Sequence, residues 1–257
     1  MGVELTVSRV VLITGGAGGM GRAIAARFLS AGDNVVISDR TREAVDDAAR
    51  ELPGVGTVVA NVASVADCER MVAGTLAVHG RLDILVVTAG VWVEGDSAEM
   101  TEEQWDFVLD VNLKGAFFAC RYAIPALLES GGSIVCISSD YGLVGGPRAA
   151  LYCASKFGLN GLVRSMALEL GPKGVRVNSI CPADVETPML QGQAADYGGD
   201  DPDAYLRDLL DTIPQGERSR FIRTDEIAAL VWFLSSPEAE PITGVTMPID
   251  WGVTTGY

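Results

Sequence analysis

Short apolar runs alternate along most of the chain with stretches whose apolar residues recur at helical spacing. The apolar runs have the length and composition of parallel strands that are buried on both faces. They predict strands at residues 9–14, 34–39, 56–60, 82–87, 133–137, 175–180 and 245–249. The periodic stretches predict helices after residue 21, from about 41, and at 65–78, 102–129, 149–170 and 225–234. This alternation predicts an α/β fold, a doubly wound sheet of about seven parallel strands flanked by helices, with ligands at the carboxyl ends of the strands.

Composition narrows the class of protein. The chain has 257 residues, 48% of them hydrophobic, which is enough for one domain with a sizeable core. Its formal net charge of −15 argues against nucleic acid and against an anionic membrane surface as partners. No apolar run approaches the ~18 residues of a membrane span, and the N-terminus lacks the basic region and cleavage site of a signal peptide.

Cysteine and histidine usage points in the same direction. The five cysteines include no CxxC pair and lie mostly in apolar surroundings, and His79 is the only histidine. We therefore expect reduced, buried thiols in a cytoplasmic protein and no metal site.

The first predicted strand runs directly into a glycine-rich turn, Gly15 to Gly21, that opens an amphipathic helix. Glycines allow a tight turn and a close approach of the backbone to a ligand, and the helix N-terminus offers free N–H groups to a pyrophosphate. Strand, turn and helix together predict a dinucleotide-binding site.

The second strand ends in Asp39, about 20 residues beyond the glycine turn. A carboxylate there can accept hydrogen bonds from the ribose hydroxyls of the adenosine half and would repel a 2′-phosphate, which predicts NAD(H) as the cofactor. Two alternatives stay open: Asp39 could cap the helix that begins near Thr41, and Arg40 could serve a 2′-phosphate.

The helix at 149–170 carries Tyr152 and Lys156 four residues apart, and therefore on one face. An ammonium about 4 Å from a phenol at an effective dielectric of ~20 is worth roughly 4 kcal/mol, or about three pKa units. This spacing predicts a tyrosine whose pKa is lowered toward neutral and which can act as a base.

A long polar and acidic segment at residues 189–222 interrupts the alternation, with room for one short helix at 202–210. A long excursion above the ligand end of a sheet is often a lid, and the alternative is a solvated loop without a role. Its acidic residues are Asp196, Asp200, Asp201, Asp203, Asp208 and Asp211. We expect it to be mobile or poorly packed without ligand and to bring Met189, Leu190, Leu206 and Leu210 onto the substrate when closed.

These motifs together resemble the short-chain dehydrogenase/reductase family, in its small single-domain branch with a Rossmann-type fold. The resemblance runs from about Val7 to Gly252, nearly the whole chain. It implies an NAD-dependent oxidoreductase that transfers a hydride between the nicotinamide and a secondary alcohol or ketone, and an oligomer, most commonly a homotetramer. It also implies a catalytic set of Asn112, Ser139, Tyr152 and Lys156.

The resemblance assigns a role to each member of this set. Tyr152 would exchange the proton, Lys156 would lower its pKa and hold the nicotinamide ribose, and Ser139 would hydrogen-bond the substrate oxygen. Asn112, at a local distortion of its helix, would position a water that links Lys156 to solvent, and Thr187 would fix the carboxamide.

The resemblance further implies the cofactor contacts. They are Gly15, Gly18, Gly19, Met20, Gly21, Asp39, Asn61, Val62, Ala89, Gly90, Tyr152, Lys156, Pro182, Val185 and Thr187. Departures from the family pattern fall outside the catalytic set: Val87-Thr88 stands where two asparagines are usual, and Asn61 where an aspartate is usual. We expect Thr88 to replace one of the lost hydrogen bonds.

The substrate pocket is expected between the segment after the fourth strand, the segment before the Tyr152 helix, and the lid. Its predicted lining is Trp92, Glu94, Asp140, Tyr141, Leu143, Arg148, Ala183 and Asp184. Asp140 and Glu94 could instead be solvated loop carboxylates, and Arg148 could pair either with an anionic substrate or with a neighbouring carboxylate.

Two other functions are compatible with the fold. A dinucleotide-binding regulatory or scaffold protein would not need the four catalytic residues. An epimerase or dehydratase with tightly held NAD usually has a larger C-terminal substrate domain, which is not visible here. The substrate, its stereochemistry and the direction of the reaction are left open.

Overall fold

A computed structural model describes residues 8–256 of the chain. Its strands are β1 Val10–Thr14, β2 Asn34–Asp39, β3 Gly56–Val59, β4 Ile84–Val87, β5 Ser133–Ile137, β6 Arg176–Pro182 and β7 Thr246–Ile249. Its α-helices are α1 Gly19–Ser30, α2 Arg42–Glu51, α3 Val65–His79, α4 Glu102–Leu109, α5 Ala116–Ser130, α6 Ala150–Leu170, α7 Pro188–Tyr197, α8 Pro202–Asp211 and α9 Thr224–Leu234.

The seven strands form one sheet in the order β3-β2-β1-β4-β5-β6-β7, and every neighbouring pair is parallel. The order reverses at β1, because the chain moves outward to β3 and then returns to place β4 on the other side of β1. Ligands of such sheets bind at this switch point, beyond the carboxyl ends of the strands. The predicted fold class is confirmed.

Helices cover both faces of the sheet, and the strand residues alternate between the two layers. Leu12 packs in one apolar core with α3, α5 and α6, whereas the next residue, Ile13, packs in the other core with α1, α2 and α9. Because successive side chains of a strand point to opposite faces, a strand buried on both sides must be apolar throughout, as β1 is.

The predicted helix at 102–129 is divided. A π-helical segment, Asp110–Gly115, separates α4 from α5. The predicted local distortion at Asn112 is therefore present, and α5 continues through Pro125.

The segment after β6 contains more regular structure than expected. The structure adds α7, which begins at Pro188 after the Thr187 hydroxyl accepts the Leu190 N–H, and α8 extends to Asp211. Leu190 and Ala194 of α7 are buried, but α8 has no buried residue. Among residues 8–256, no helix is long and apolar enough to span a membrane.

Candidate active site

The glycine turn lies between β1 and α1 and faces a cleft. Gly15 has a φ of 63°, and a Cβ there would lie 2.7 Å from the Ala89 backbone, so only glycine fits. Gly18 is the N-cap of α1 and carries no side-chain cap, which leaves N–H groups of the first helical turn available for an anion. A Cβ on Gly18 would meet only the Gly15 carbonyl, at 3.4 Å, so a ligand can approach the backbone here.

Asp39 ends β2 beside this turn. One carboxylate oxygen accepts the Ala17 N–H at 3.2 Å and the other accepts the Arg40 N–H at 2.8 Å. The cap of α2 is the Thr41 hydroxyl, which accepts the Ala44 N–H, so the alternative that Asp39 caps this helix is wrong.

The cleft has a volume of about 730 Å³. Its lining includes most of the predicted cofactor residues: Gly15, Gly18, Gly19, Met20, Gly21, Asp39, Asn61, Val62, Ala89, Gly90 and Thr187. Arg40 also lines it. Thr88 donates from its hydroxyl to the Thr14 carbonyl, the replacement hydrogen bond that the sequence predicts. The size, the exposed helix N-terminus and the carboxylate at the end of β2 fit a dinucleotide.

A second cavity of about 480 Å³ adjoins the cleft. The two cavities share Met20, Trp92, Thr187, Met189 and Gln193. Tyr152, Ser139, Pro182 and Val185 line the second cavity, and Lys156 lines neither. The predicted catalytic tyrosine and serine therefore lie in the cavity that adjoins the cleft.

Tyr152 and Lys156 lie on one face of α6, as predicted. The Lys156 ammonium is 5.5 Å from the centre of the Tyr152 ring and donates to the Ile137 carbonyl at 3.0 Å. The Trp92 ring packs edge-on against Tyr152, with the ring centres 4.6 Å apart.

The predicted direction of the Tyr152 pKa is wrong for the protein by itself. Burial raises this pKa above its ordinary value, the carboxylates of Asp140 and Asp184 raise it further, and interaction with Ser139 lowers it only in part. Burial also lowers the pKa of Lys156 to about 8. Burial of an ammonium group is costly. The positive charge that was expected to lower the Tyr152 pKa is therefore itself destabilised by burial.

Ser139 follows β5 and is buried. Its hydroxyl donates to the Asp140 carboxylate at 2.7 Å and accepts the Tyr141 N–H at 3.1 Å. Asp140 is thus one hydrogen bond from the predicted oxygen-binding group, which the solvated-loop alternative did not anticipate.

Asn112 is buried in the π-helical segment. Its amide group donates to the Val91 carbonyl and to Ser155, and its oxygen accepts the Val91 N–H. The side chain therefore fixes the segment after β4, and the role of positioning a water stays a prediction. The contact with Val91 could not be read from the sequence, because it joins residues 21 positions apart.

The substrate cavity contains seven of the eight predicted lining residues: Trp92, Glu94, Asp140, Tyr141, Arg148, Ala183 and Asp184. Leu143 does not line it, and Val144 does. Arg148 pairs with the carboxylates of Glu94 at 3.3 Å and Asp96 at 3.1 Å, as the prediction of a neighbouring carboxylate as its partner requires.

The lid contributes residues that the sequence analysis missed. Tyr205, Asp208, Leu209 and Thr212 line the cavity, and Leu206 and Leu210 do not. The missed residues recur at helical spacing along one face of α8 and its C-cap. The sequence predicted the helix but not which of its faces lines the cavity. The Tyr205 hydroxyl donates to Glu94 at 3.0 Å and thereby joins α8 to the segment after β4.

Known proteins resemble this chain over nearly its whole length. The profile of a family described as enoyl-(acyl carrier protein) reductase matches residues 15–254. A meso-2,3-butanediol dehydrogenase of Serratia marcescens is 38% identical over 96% of this chain and 95% of its own. A 3-oxoacyl-(acyl carrier protein) reductase of Thermotoga maritima is 35% identical over 95% of this chain and 97% of its own. The chain belongs to the short-chain dehydrogenase/reductase family.

Solved structures of this family match the fold closely. A levodione reductase superposes with a TM-score of 0.91 and 32% identity, covering 97% of this chain and 98% of its own. An actinorhodin polyketide ketoreductase with NADPH has a TM-score of 0.91 and 32% identity, covering 96% and 97%. A 3-ketoacyl-(acyl carrier protein) reductase of Brucella melitensis with NADH has a TM-score of 0.85 and 29% identity, covering 96% and 98%. This short-chain dehydrogenase/reductase is thus an oxidoreductase whose family uses a nicotinamide cofactor.

Proposed function

We propose that this short-chain dehydrogenase/reductase transfers a hydride between NAD(H) and a secondary alcohol or its ketone, with Tyr152 as the general acid/base. The observation that carries the proposal is that Tyr152 and Ser139 line the second cavity, which we take as the substrate cavity, and that Tyr152 packs against Trp92 at the junction with the cofactor cleft. A scaffold protein on this fold would not need these two hydroxyls beside that junction.

The residues around the junction have complementary tasks in this proposal. When bound, the nicotinamide supplies or accepts the hydride. Tyr152 moves the hydroxyl proton, and the Ser139 hydroxyl donates to the substrate oxygen as charge develops on it. Lys156 keeps positive charge near the phenol and is held by the Ile137 carbonyl.

The pKa of Tyr152 bears on the direction of this chemistry. A phenol whose pKa is raised by burial is protonated at neutral pH, which suits donation of a proton to a ketone. In the oxidation direction the same phenol must first lose its proton, so oxidation is favoured by higher pH.

NAD(H) is the proposed cofactor because Asp39 stands beside the region that the adenosine ribose would occupy. A 2′-phosphate there would be repelled by the Asp39 carboxylate, which favours NAD(H). Arg40, the next residue, also lines the cleft and carries a positive charge that could offset this repulsion. Related structures hold NADPH or NADH, so relationship alone does not choose between the two.

The proposal also assigns residues 189–222, which include α8 and nearly all of α7, to a lid over the substrate cavity within a single nucleotide-binding domain. The supporting observations are that α7 lines both cavities through Met189 and Gln193, and that α8 lines the second. Closure of such a segment excludes water from the path of the hydride.

The test is formation of NADH from NAD with a panel of secondary alcohols, compared with calorimetric binding of NADH. We expect turnover with at least one alcohol, and a loss of about 10²–10⁴-fold in kcat for Tyr152→Phe with NADH binding unchanged. Cofactor binding without turnover on any alcohol would favour the scaffold function. If Tyr152→Phe keeps more than about a tenth of the wild-type kcat, Tyr152 is not the general acid/base.

A further inference from the structure

The substrate cavity beside Ser139 is acidic. Its lining holds the carboxyl groups of Glu94, Asp140, Asp184 and Asp208 and one guanidinium, that of Arg148. The guanidinium is already paired with Glu94 and Asp96, and the Lys156 ammonium is directed to a backbone carbonyl. Among the described residues, the cavity therefore presents no uncommitted cation to a substrate.

Asp140 places a carboxylate next to the point where the reacting oxygen would lie. Its Oδ1 is 2.7 Å from the Ser139 hydroxyl oxygen and 2.9 Å from the Tyr141 N–H. Its other oxygen makes no hydrogen bond with the described residues. When the Ser139 hydroxyl turns from Oδ1 to donate to the reacting oxygen, the Asp140 carboxylate is free to accept from a second hydroxyl of the substrate.

Asp184 contributes a second carboxyl group from the turn after β6. Asp184 lines the same cavity, and its carboxylate has no hydrogen bond or ion pair within residues 8–256, although its backbone carbonyl accepts the Ile222 N–H. Its carboxylate oxygens have no hydrogen-bond partner in this range but keep some solvent exposure, so they are open to the cavity. Burial, and then the charge of Asp140, raises the pKa of Asp184 to about 7, as expected for two carboxyl groups that share a small space.

We infer that Asp140 and Asp184 are specificity-determining residues that select an uncharged substrate with a hydroxyl group on the carbon next to the reacting one, a vicinal diol or an α-hydroxy ketone. This inference rests on the proposed function, since it takes Ser139 as the site of the reacting oxygen. The Asp140 carboxylate lies 2.7 Å from the Ser139 hydroxyl oxygen, so a second hydroxyl on the carbon next to the reacting one would lie near it. The second hydroxyl can then donate to one of the two carboxylates.

The same arrangement rejects anionic substrates. A carboxylate or phosphate would lose part of its hydration and meet like charges with no free guanidinium to pair with. An alcohol without a second hydroxyl would leave Asp184 partly desolvated and without a donor, which also weakens its binding.

The experiment compares four substrates with one carbon skeleton: 2,3-butanediol, 2-butanol, 3-hydroxybutyrate and 3-amino-2-butanol. We expect kcat/KM for the diol to exceed that for 2-butanol by about tenfold or more, with the anion the poorest of the four. Asp184→Asn and Asp140→Asn should each reduce the diol preference by at least about threefold and raise the relative rate of the anion. Asp46→Asn removes an exposed charge on α2, outside the linings of both cavities, and should change neither ratio.

Binding gives a second measurement that does not depend on turnover. Calorimetry of the wild-type protein with NADH present should give a lower Kd for the diol than for 2-butanol. Equal kcat/KM or equal Kd for these two alcohols overturns the inference, as does a diol preference that survives both substitutions. A preference for 3-amino-2-butanol would show selection of a cation and would overturn it too. Turnover of some alcohol with any of these results leaves the proposed function standing, whereas no turnover of any alcohol contradicts the proposed function itself.

Discussion

The pKa values of individual side chains in and beside the two cavities depend on how much water burial removes from those side chains. Lys156 is buried with a carbonyl as its partner instead of a carboxylate, and its pKa falls to about 8. The pKa of Asp184 changes in the opposite direction and is raised, because burial favours the neutral acid form of a carboxyl group. Both shifts are costs to the folded state at neutral pH, and both occur beside the proposed reaction centre, where such costs are commonly found.

At this scale, replacement of Asp184 by asparagine is expected to stabilise the protein above pH 7. The folded-state pKa of about 7 lies above the ordinary 3.8, so the folded protein binds the proton more tightly and loses stability as pH rises from about 4 to 7. The difference corresponds to at most about 4 kcal/mol, and solvent access reduces it. Thermal unfolding at pH 5 and pH 8.5 should show a larger gain in Tm for Asp184→Asn at pH 8.5. A gain that is equal at both values would contradict an ionisation cost.

Asp39 leads to a prediction about the cofactor. NAD should be preferred over NADP by at least about tenfold in kcat/KM, because a charged hydrogen bond is worth ~1.5–3 kcal/mol before repulsion of the 2′-phosphate is added. Asp39→Ala should reduce this preference, with Asp33→Ala, whose carboxylate pairs with Arg9 away from the cleft, as the control. Equal efficiency with the two cofactors in the wild type would identify Arg40 as the deciding residue.

At the scale of elements, the sequence predicted the parts of the site that depend on local spacing. The glycine turn and the Tyr152–Lys156 face are properties of a few neighbouring residues, whereas the distortion at Asn112 was implied by the family resemblance. The exact ends of the strands and the existence of α7 were harder to predict from the sequence. Thr187 and Pro188 form a normal helix start, but the sequence analysis had assigned Thr187 to the cofactor.

The wrong pKa direction of Tyr152 and the partner of Arg148 that was left open share a physical cause, because both depend on contacts between distant segments. The environment that raises the Tyr152 pKa includes Asp140 and Asp184, which reach it from other elements. The pairing of Arg148 with Glu94 joins residues 54 positions apart. No periodicity in the chain reports such contacts, so the charge balance of the substrate cavity emerged only from the structure.

The lid carries the prediction that belongs to the element scale. α7 buries Leu190 and Ala194, but α8 buries no residue and is joined to the segment after β4 by the Tyr205–Glu94 hydrogen bond. Hydrogen exchange should therefore be faster in α8 than in α7 without ligand, and slower in both with NADH and an unreactive substrate analogue.

Tyr205→Phe provides the matched variant for this measurement. It removes the hydroxyl that contacts Glu94 and should increase exchange in α8 without changing exchange in α1. If protection in α8 is already high without ligand and is the same with ligand, residues 202–211 are a fixed wall and the lid proposal fails.

The whole molecule presents an apolar surface on α4, α5 and α6. Its exposed large residues are Trp105, Phe107, Phe117, Phe157 and Leu168. Helices with exposed apolar residues can pair across a two-fold axis, and a patch of this kind commonly marks an interface. The predicted homotetramer is consistent with this surface and stays a proposal.

Light scattering at micromolar concentration should give a mass four times that of one chain. Phe117→Glu combined with Phe157→Glu should reduce the mass, because two charges would be buried in the interface. Phe233→Glu, on α9 at the opposite face of the sheet, should not. A wild-type protein that is a stable monomer, or a mass that is unchanged in the double variant, would contradict the proposed interface.

The central claim, hydride transfer assisted by Tyr152, is tested most directly by following the hydrogen itself. The protein is incubated with NAD and 2,3-butanediol that carries deuterium on its carbinol carbons, and the mass of the reduced cofactor is measured. The account predicts NADH that contains one deuterium from the substrate, with formation at least about a hundredfold slower in Tyr152→Phe. Reduced cofactor without deuterium, or the same rate in the variant, would contradict the account.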